Sequence, residues 1–392
     1  MVPSRTPSLA TMPQELLDCV IDHLHDDSAS LRACALSHRA WLPQSWRHLH
    51  HHVSIDASRP SHKSPRYSFG HSLEYIQSLE LVHLGDATAI SPFTMPLLSR
   101  LTHVRTLSIS FGAWDKLSIA DKNSLVSAYP NVETLKINGV SFSGPLDMVD
   151  LISSFPHLSH LSVMFVCFSK PGSALGLDTC PSPQVMPFGS PIRSLRILEC
   201  SRGVVDALAM VLGQRPRDYT SKFILKLEWA ISRERSYTMQ DAAMEHVFTR
   251  VGHLPTKLSL NFRAFPMTGV KGIEHCNRLQ SLDISLDLFT IHDGFGHHNH
   301  YHWLPELLES VTSHIESFSF TFTNAHLWRS PVGMATFRCI DGVLTATHFP
   351  KLKRVEMYFK GLRESKLQIL EYFMTYLPQL VASGLLMFDV IC

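Results

Sequence analysis

No run of 18 apolar residues occurs anywhere in the sequence, so nothing in it reads as a membrane-spanning helix. An apolar stretch after the first basic residue is also missing, and Pro3, Pro7 and Pro13 interrupt the opening, so no secretory signal is expected. Neither sign of charge is in excess: 35 lysines and arginines face 34 acids, for a net +1. That balance gives no electrostatic reason to expect nucleic acid or an anionic membrane as the partner. The nearest basic clusters, Arg233/Arg235 and Lys351/Lys353/Arg354, are too short to form a stripe. None of the eight cysteines is spaced as CxxC, and most lie inside apolar runs, where a reduced thiol packs as a small hydrophobe. Free thiols in a reducing compartment are expected, hence an intracellular protein, cytoplasmic or nuclear. The signatures of common chemistry are missing too. There is no GxSxG elbow, P-loop, GxGxxG fingerprint or HExxH helix, so no enzyme and no cofactor is expected.

What is present begins at Met12. With 392 residues, 45% of them hydrophobic, the chain has ample material for a large core. Leu16, Leu17, Val20, Ile21 and Leu24 recur at helical spacing behind Pro13, which suits a first helical turn. Thr11 with Gln14 is a candidate capping box. Asp26, Asp27 and Ser28 break this helix and cap a second, carrying Leu31, Cys34 and Ala35. A third holds Trp41, Leu42, Ser45, Trp46 and Leu49, with Pro43 in its first turn or bending it. Three short helices cannot bury two tryptophans and this many aliphatic side chains alone, so the rest of the chain or another protein must cover part of them.

The segments Met12–Leu17 (MPQELL), Ser30–Leu36 (SLRACAL) and Arg39–Pro43 (RAWLP), in this order and spacing, resemble the F-box domain, in the form abundant in mushroom-forming fungi. The resemblance covers residues 12–52 and departs from the family at His38 and in the histidine-rich exit His48, His50, His51 and His52. It implies a substrate-recognition subunit of an SCF-type cullin–RING ubiquitin ligase acting in ubiquitin-dependent protein degradation. The helices would bind a Skp-family adaptor and, through it, cullin, while the remainder holds an unknown protein substrate. Carried over by position, the adaptor contacts are Pro13, Leu16, Leu17, Val20, Ile21, Leu31, Leu36 and Trp41. Sequence alone does not sort these from residues such as Val20 and Leu24 that pack internally.

Residues 53–71 are polar, contain two prolines and read as a linker. Beyond them an apolar-x-x-apolar-x-apolar pattern returns, as Ile76/Leu79/Leu81, Val104/Leu107/Ile109, Val132/Leu135/Ile137 and Leu158/Leu161/Val163. Later copies are Ile192/Leu195/Ile197, Leu279/Leu282/Ile284, Ile315/Phe318/Phe320 and Leu352/Val355/Met357, with weaker ones at Leu225/Leu227/Trp229 and Leu258/Leu260. Helical stretches fall between them at 118–130, 144–156, 204–216, 304–314 and 364–378. A strand and a helix returning every 20–40 residues is the pattern of a leucine-rich repeat solenoid, here degenerate, since Asn138 is the one tidy candidate for an asparagine ladder. The fold class expected is therefore α/β, with an N-terminal three-helix F-box at 12–52 and an irregular solenoid of parallel strands and helices over 72–392. A doubly wound α/β domain also alternates strand and helix, but its glycine-rich phosphate turn is absent. The apolar ending Gly384–Cys392 should pair with the strand around Val355 and Met357.

Two insertions, 169–191 and 291–303, interrupt the array. In the second, His298, His300 and His302 alternate beside His292 and Asp293, and three histidines with an open position can form a zinc site. With no carboxylate placed by spacing to orient them, a histidine-rich polar loop is the preferred reading and no metal is expected. Asp283 and Asp287 share a strand face, where acid–base chemistry is conceivable and a solvated surface is the simpler reading. The alternative function is a stand-alone repeat scaffold for protein–protein interaction without ligase association.

Overall fold

A computed structural model describes residues 12–57, 71–85, 98, 100–169, 192–213, 222–229, 245–262, 270–287, 303–311, 314–323, 331–345, 348–360 and 366–391. Most of the 169–191 insertion and the histidines of 291–302 lie outside the described residues. The chain forms two compact units, Met1–Lys136 with Ser154–His157, and Ile137–Ser153 with Leu158–Cys392.

In the first unit Gln14–Asp22 (α1), Ser28–Ser37 (α2) and Leu42–Leu49 (α3) are helical. Asp27 is the N-cap of α2, accepting from the backbone N–H groups of Ala29 and Ser30. Pro43 lies in the first turn of α3, where its missing N–H costs nothing. Thr11 of the expected capping box lies outside the described residues; Pro13 is the N-cap of α1 and supplies no side-chain bond, while Gln14 reaches to Asp18 and to the carbonyl of Ala40. His38 also has a local task, its Nδ1 accepting from the Ala40 N–H at 3.1 Å.

The residues read as the start of a linker are strand. His52–Asp56 (β1) pairs in parallel with Ser78–Val82 (β2), which pairs with Thr106–Ser110 (β3), in the register His52↔Ser78↔Thr106. The two prolines that suggested the linker come after this strand, which alternates Val53 and Ile55 with polar residues. Ile119–Ala128 (α4) follows, capped by Ser118 on the Asp121 N–H. It leads to Thr134–Asn138 (β4), whose approach is tied to β3 by bonds from Glu133 and Thr134 N–H to the Arg105 carbonyl.

The second unit repeats the same rung. Ser141–Phe142 (β5) and Cys167–Phe168 (β7) make a small parallel pair beside Pro145–Ser153 (α5). His160–Met164 (β6), Ser194–Leu198 (β8), Ile224–Trp229 (β9), Lys257–Phe262 (β10), Ser281–Asp287 (β11), Ser317–Thr323 (β12), Arg354–Lys360 (β13) and Leu386–Ile391 (β14) form one parallel ladder in chain order. Arg202–Gly213 (α6), Trp303–Ser310 (α7), Pro331–Thr345 (α8), Lys366–Tyr376 (α9) and Pro378–Ala382 (α10) supply the helices, with another over 245–251. Alternate residues of β12, Phe318, Phe320 and Phe322, are buried, because the pleat turns every second side chain inward. The α/β fold with a long array of parallel strands is as the periodicity predicts. The chain ending pairs as expected, Val355 opposite Leu386 and Met357 opposite Phe388.

Asn138, the candidate for an asparagine ladder, ends β4. Asn138 is in place, yet its Oδ1 is buried without a hydrogen-bond partner. The turns are closed by backbone instead: His83 N–H donates to the Ser110 carbonyl, Gly139 to Met164 and Phe165 to Leu198. The residue that turns the chain there has positive φ, at His83 (58°), Phe111 (53°), Gly139 (63°), Phe165 (52°) and Glu199 (45°).

Candidate partner-binding surface

Helix α1 carries two apolar stripes with different fates. Leu17 and Ile21 point inward and are buried with Leu31 of α2. These three of the eight expected adaptor contacts are therefore spent in the unit's own core. Leu16 and Val20, four residues apart, lie on the adjacent stripe and are 54% and 53% exposed, and Met12, which precedes the N-cap Pro13, is exposed as well. Val20 thus faces solvent rather than the interior, and Leu24 is half-buried. Leu36 at the end of α2 is 89% exposed, Pro13 is exposed, and Trp41 is half-buried. Structure thereby sorts the contacts that sequence could not: Pro13, Leu16, Val20 and Leu36 are accessible, Trp41 partly so.

Polar contacts hold these helices where a larger apolar core would otherwise do so. Asp22 at the end of α1 accepts from Gln44 of α3, and its Oδ1 lies 2.6 Å from His48 Nε2. The two bonds, His48 first, hold its carboxyl below the ordinary range. The histidine-rich exit therefore has a local role at His48. Burial pushes His50 and His51 down, which keeps them neutral where the helices meet the first strand.

The strand face of the first unit brings a serine, a histidine and a glutamate together. Ser78 Oγ lies 3.0 Å from His52 Nδ1, and Glu80 lies 3.9 Å from His52 Nε2, the residue types of a nucleophile, a base and an orienting acid. The Ser78 N–H and the Gln77 N–H, however, both donate to the His51 carbonyl, so these two backbone donors are taken up by the strand ladder. A recess of about 430 Å³ at the N-terminal ends of β2–β4 is lined by Glu74, Gln77, His103, Arg105, Asn131, Glu133 and His157. Arg105 sits 3.5 Å from Glu133 there, and no apolar side chain lines it, unlike a small-molecule pocket.

In the second unit Asp283 pairs with Lys257 at 2.8 Å, so it is an ion-pair partner across strands rather than half of an acid–base couple. Among the described residues no group of three or more histidines, cysteines or acids is arranged to hold a metal, and no helix is long and apolar enough to cross a membrane. Cys19, Cys34, Cys167, Cys200, Cys276 and Cys339 are free thiols. That Leu16, Leu17, Val20 and Ile21 form an apolar helix face was readable from their spacing, whereas Leu17 and Ile21 were expected as adaptor contacts and are buried instead. Which of the two stripes turns inward was not readable, because both are equally apolar.

No family model matches the chain, and no curated protein matches it. Among solved structures it is similar to the leucine-rich repeat-containing protein LegL7 from Legionella pneumophila, at a TM-score of 0.44 and 13% identity, over 83% of this chain and 98% of that one.

Proposed function

We propose that this protein is the substrate-recognition subunit of an SCF-type cullin–RING ubiquitin ligase, with α1–α3 as an F-box that docks a Skp-family adaptor and the repeats as the substrate holder. The observation that carries the reading is the pair Leu16 and Val20 on α1, left in water with Met12 before the helix and Leu36 at the end of α2, while the other apolar stripe of α1 is sealed. Large apolar side chains at helical spacing on an accessible face suit a partner's groove. The motif resemblance at 12–52 names that partner as the adaptor. On this reading the chain catalyses nothing itself; it raises the local concentration of a bound protein near the conjugating machinery.

The test is capture of purified adaptor by the full chain and by the double variant Leu16→Asp/Val20→Asp. The expected result is loss of binding by at least about 100-fold, since two apolar contacts worth roughly 1.5–3 kcal/mol each give way to desolvated charges. Melting should stay within about 2 °C of the native chain, because exposed positions rarely contribute to stability. Unchanged adaptor affinity in the double variant would remove the ligase reading and leave a repeat scaffold that binds protein without the adaptor.

A further inference from the structure

We draw no further inference here: the strongest candidate, the exposed apolar stripe of Leu367 and Met374 on α9, 77% and 59% exposed, is an open helix face, and nothing among the described residues shows what covers it.

Discussion

On α1 the side chains of Leu16 and Val20 stand in water, whereas on β12 Phe318, Phe320 and Phe322 are all buried. Both segments are apolar at regular spacing, yet the spacing serves different ends. The helical segment keeps one thin core, Leu17, Ile21 and Leu31, and is held elsewhere by polar bonds at Asp22, Asp27 and Gln14. The last rungs are held by stacked aromatics: Phe322 lies 5.0 Å from Phe359, which lies 5.2 Å from Phe373. Where apolar surface is sealed by neighbouring rungs, the strands can lengthen from five residues at β2 to seven at β12 and β13. On α1 the second stripe, Leu16 and Val20, is left more than half exposed.

The sharpest way to break the contrast is in the aromatic core. Phe320→Ala removes a ring buried between Phe318 and Phe322 and leaves a cavity, costing about 3–5 kcal/mol. Calorimetry should show a melting transition lower by roughly 10 °C. A drop as small as that of Leu16→Asp/Val20→Asp would mean the two regions are not packed differently at all. Next in size is Asp341 of α8, a buried carboxylate that accepts from the N–H groups of Gln379 at 3.1 Å and Leu380 at 2.8 Å. It caps α10 from the preceding rung. Asp341→Ala leaves two backbone donors without their partner and should cost about 2 kcal/mol by chemical denaturation. A neutral outcome would show that α10 is held by Leu380 packing alone.

The sequence made the rungs legible because their signal is repeated: an alternation of apolar residues ending in a helix survives local noise when it recurs every few dozen residues. Strands β2, β3, β4, β6 and β8–β13 all fall on pattern copies, and α4, α5, α6, α7 and α9 on the helical stretches. Elements with weak patterns went unread. β1 is half polar and follows a histidine run, and α8, PVGMATFRCIDGVLT, mixes two glycines and a buried acid into its stripe. The candidate surfaces were legible only in part. Composition showed that α1 has more apolar residues than it can bury, but which stripe turns outward depends on where α2 and α3 pack. The left-handed turn at Phe111 left no trace, because positive φ is a property of the backbone turn and phenylalanine there reads as one more strand residue.

The smallest effect, and the one that sharpens the polar side of the comparison, concerns Asp22. Its carboxyl is held below the ordinary range by His48 and Gln44, so the folded state favours the ionised form more than the unfolded chain does. A depressed folded value means that the stabilisation is fully present above the ordinary carboxylate value. It is lost as the pH falls through the folded one. Because the side chain is 52% exposed, solvent screens the pair and the contribution is at most about 1 kcal/mol. The comparison to make is the native chain against Asp22→Asn, with denaturation followed by tryptophan fluorescence, since Trp46 lies on α3 between Gln44 and His48. The native chain should be slightly the more stable at neutral pH, and the difference should close only below about pH 4, as the pH falls beneath the ordinary carboxylate value and Asp22 takes up its proton. Phe320→Ala should show no such closing, because a cavity has no proton to bind. A difference between native and Asp22→Asn that stays constant down to acid pH would show that α1 and α3 are joined by shape at this end, and that the helical segment is less dependent on polar bonds than its thin core requires.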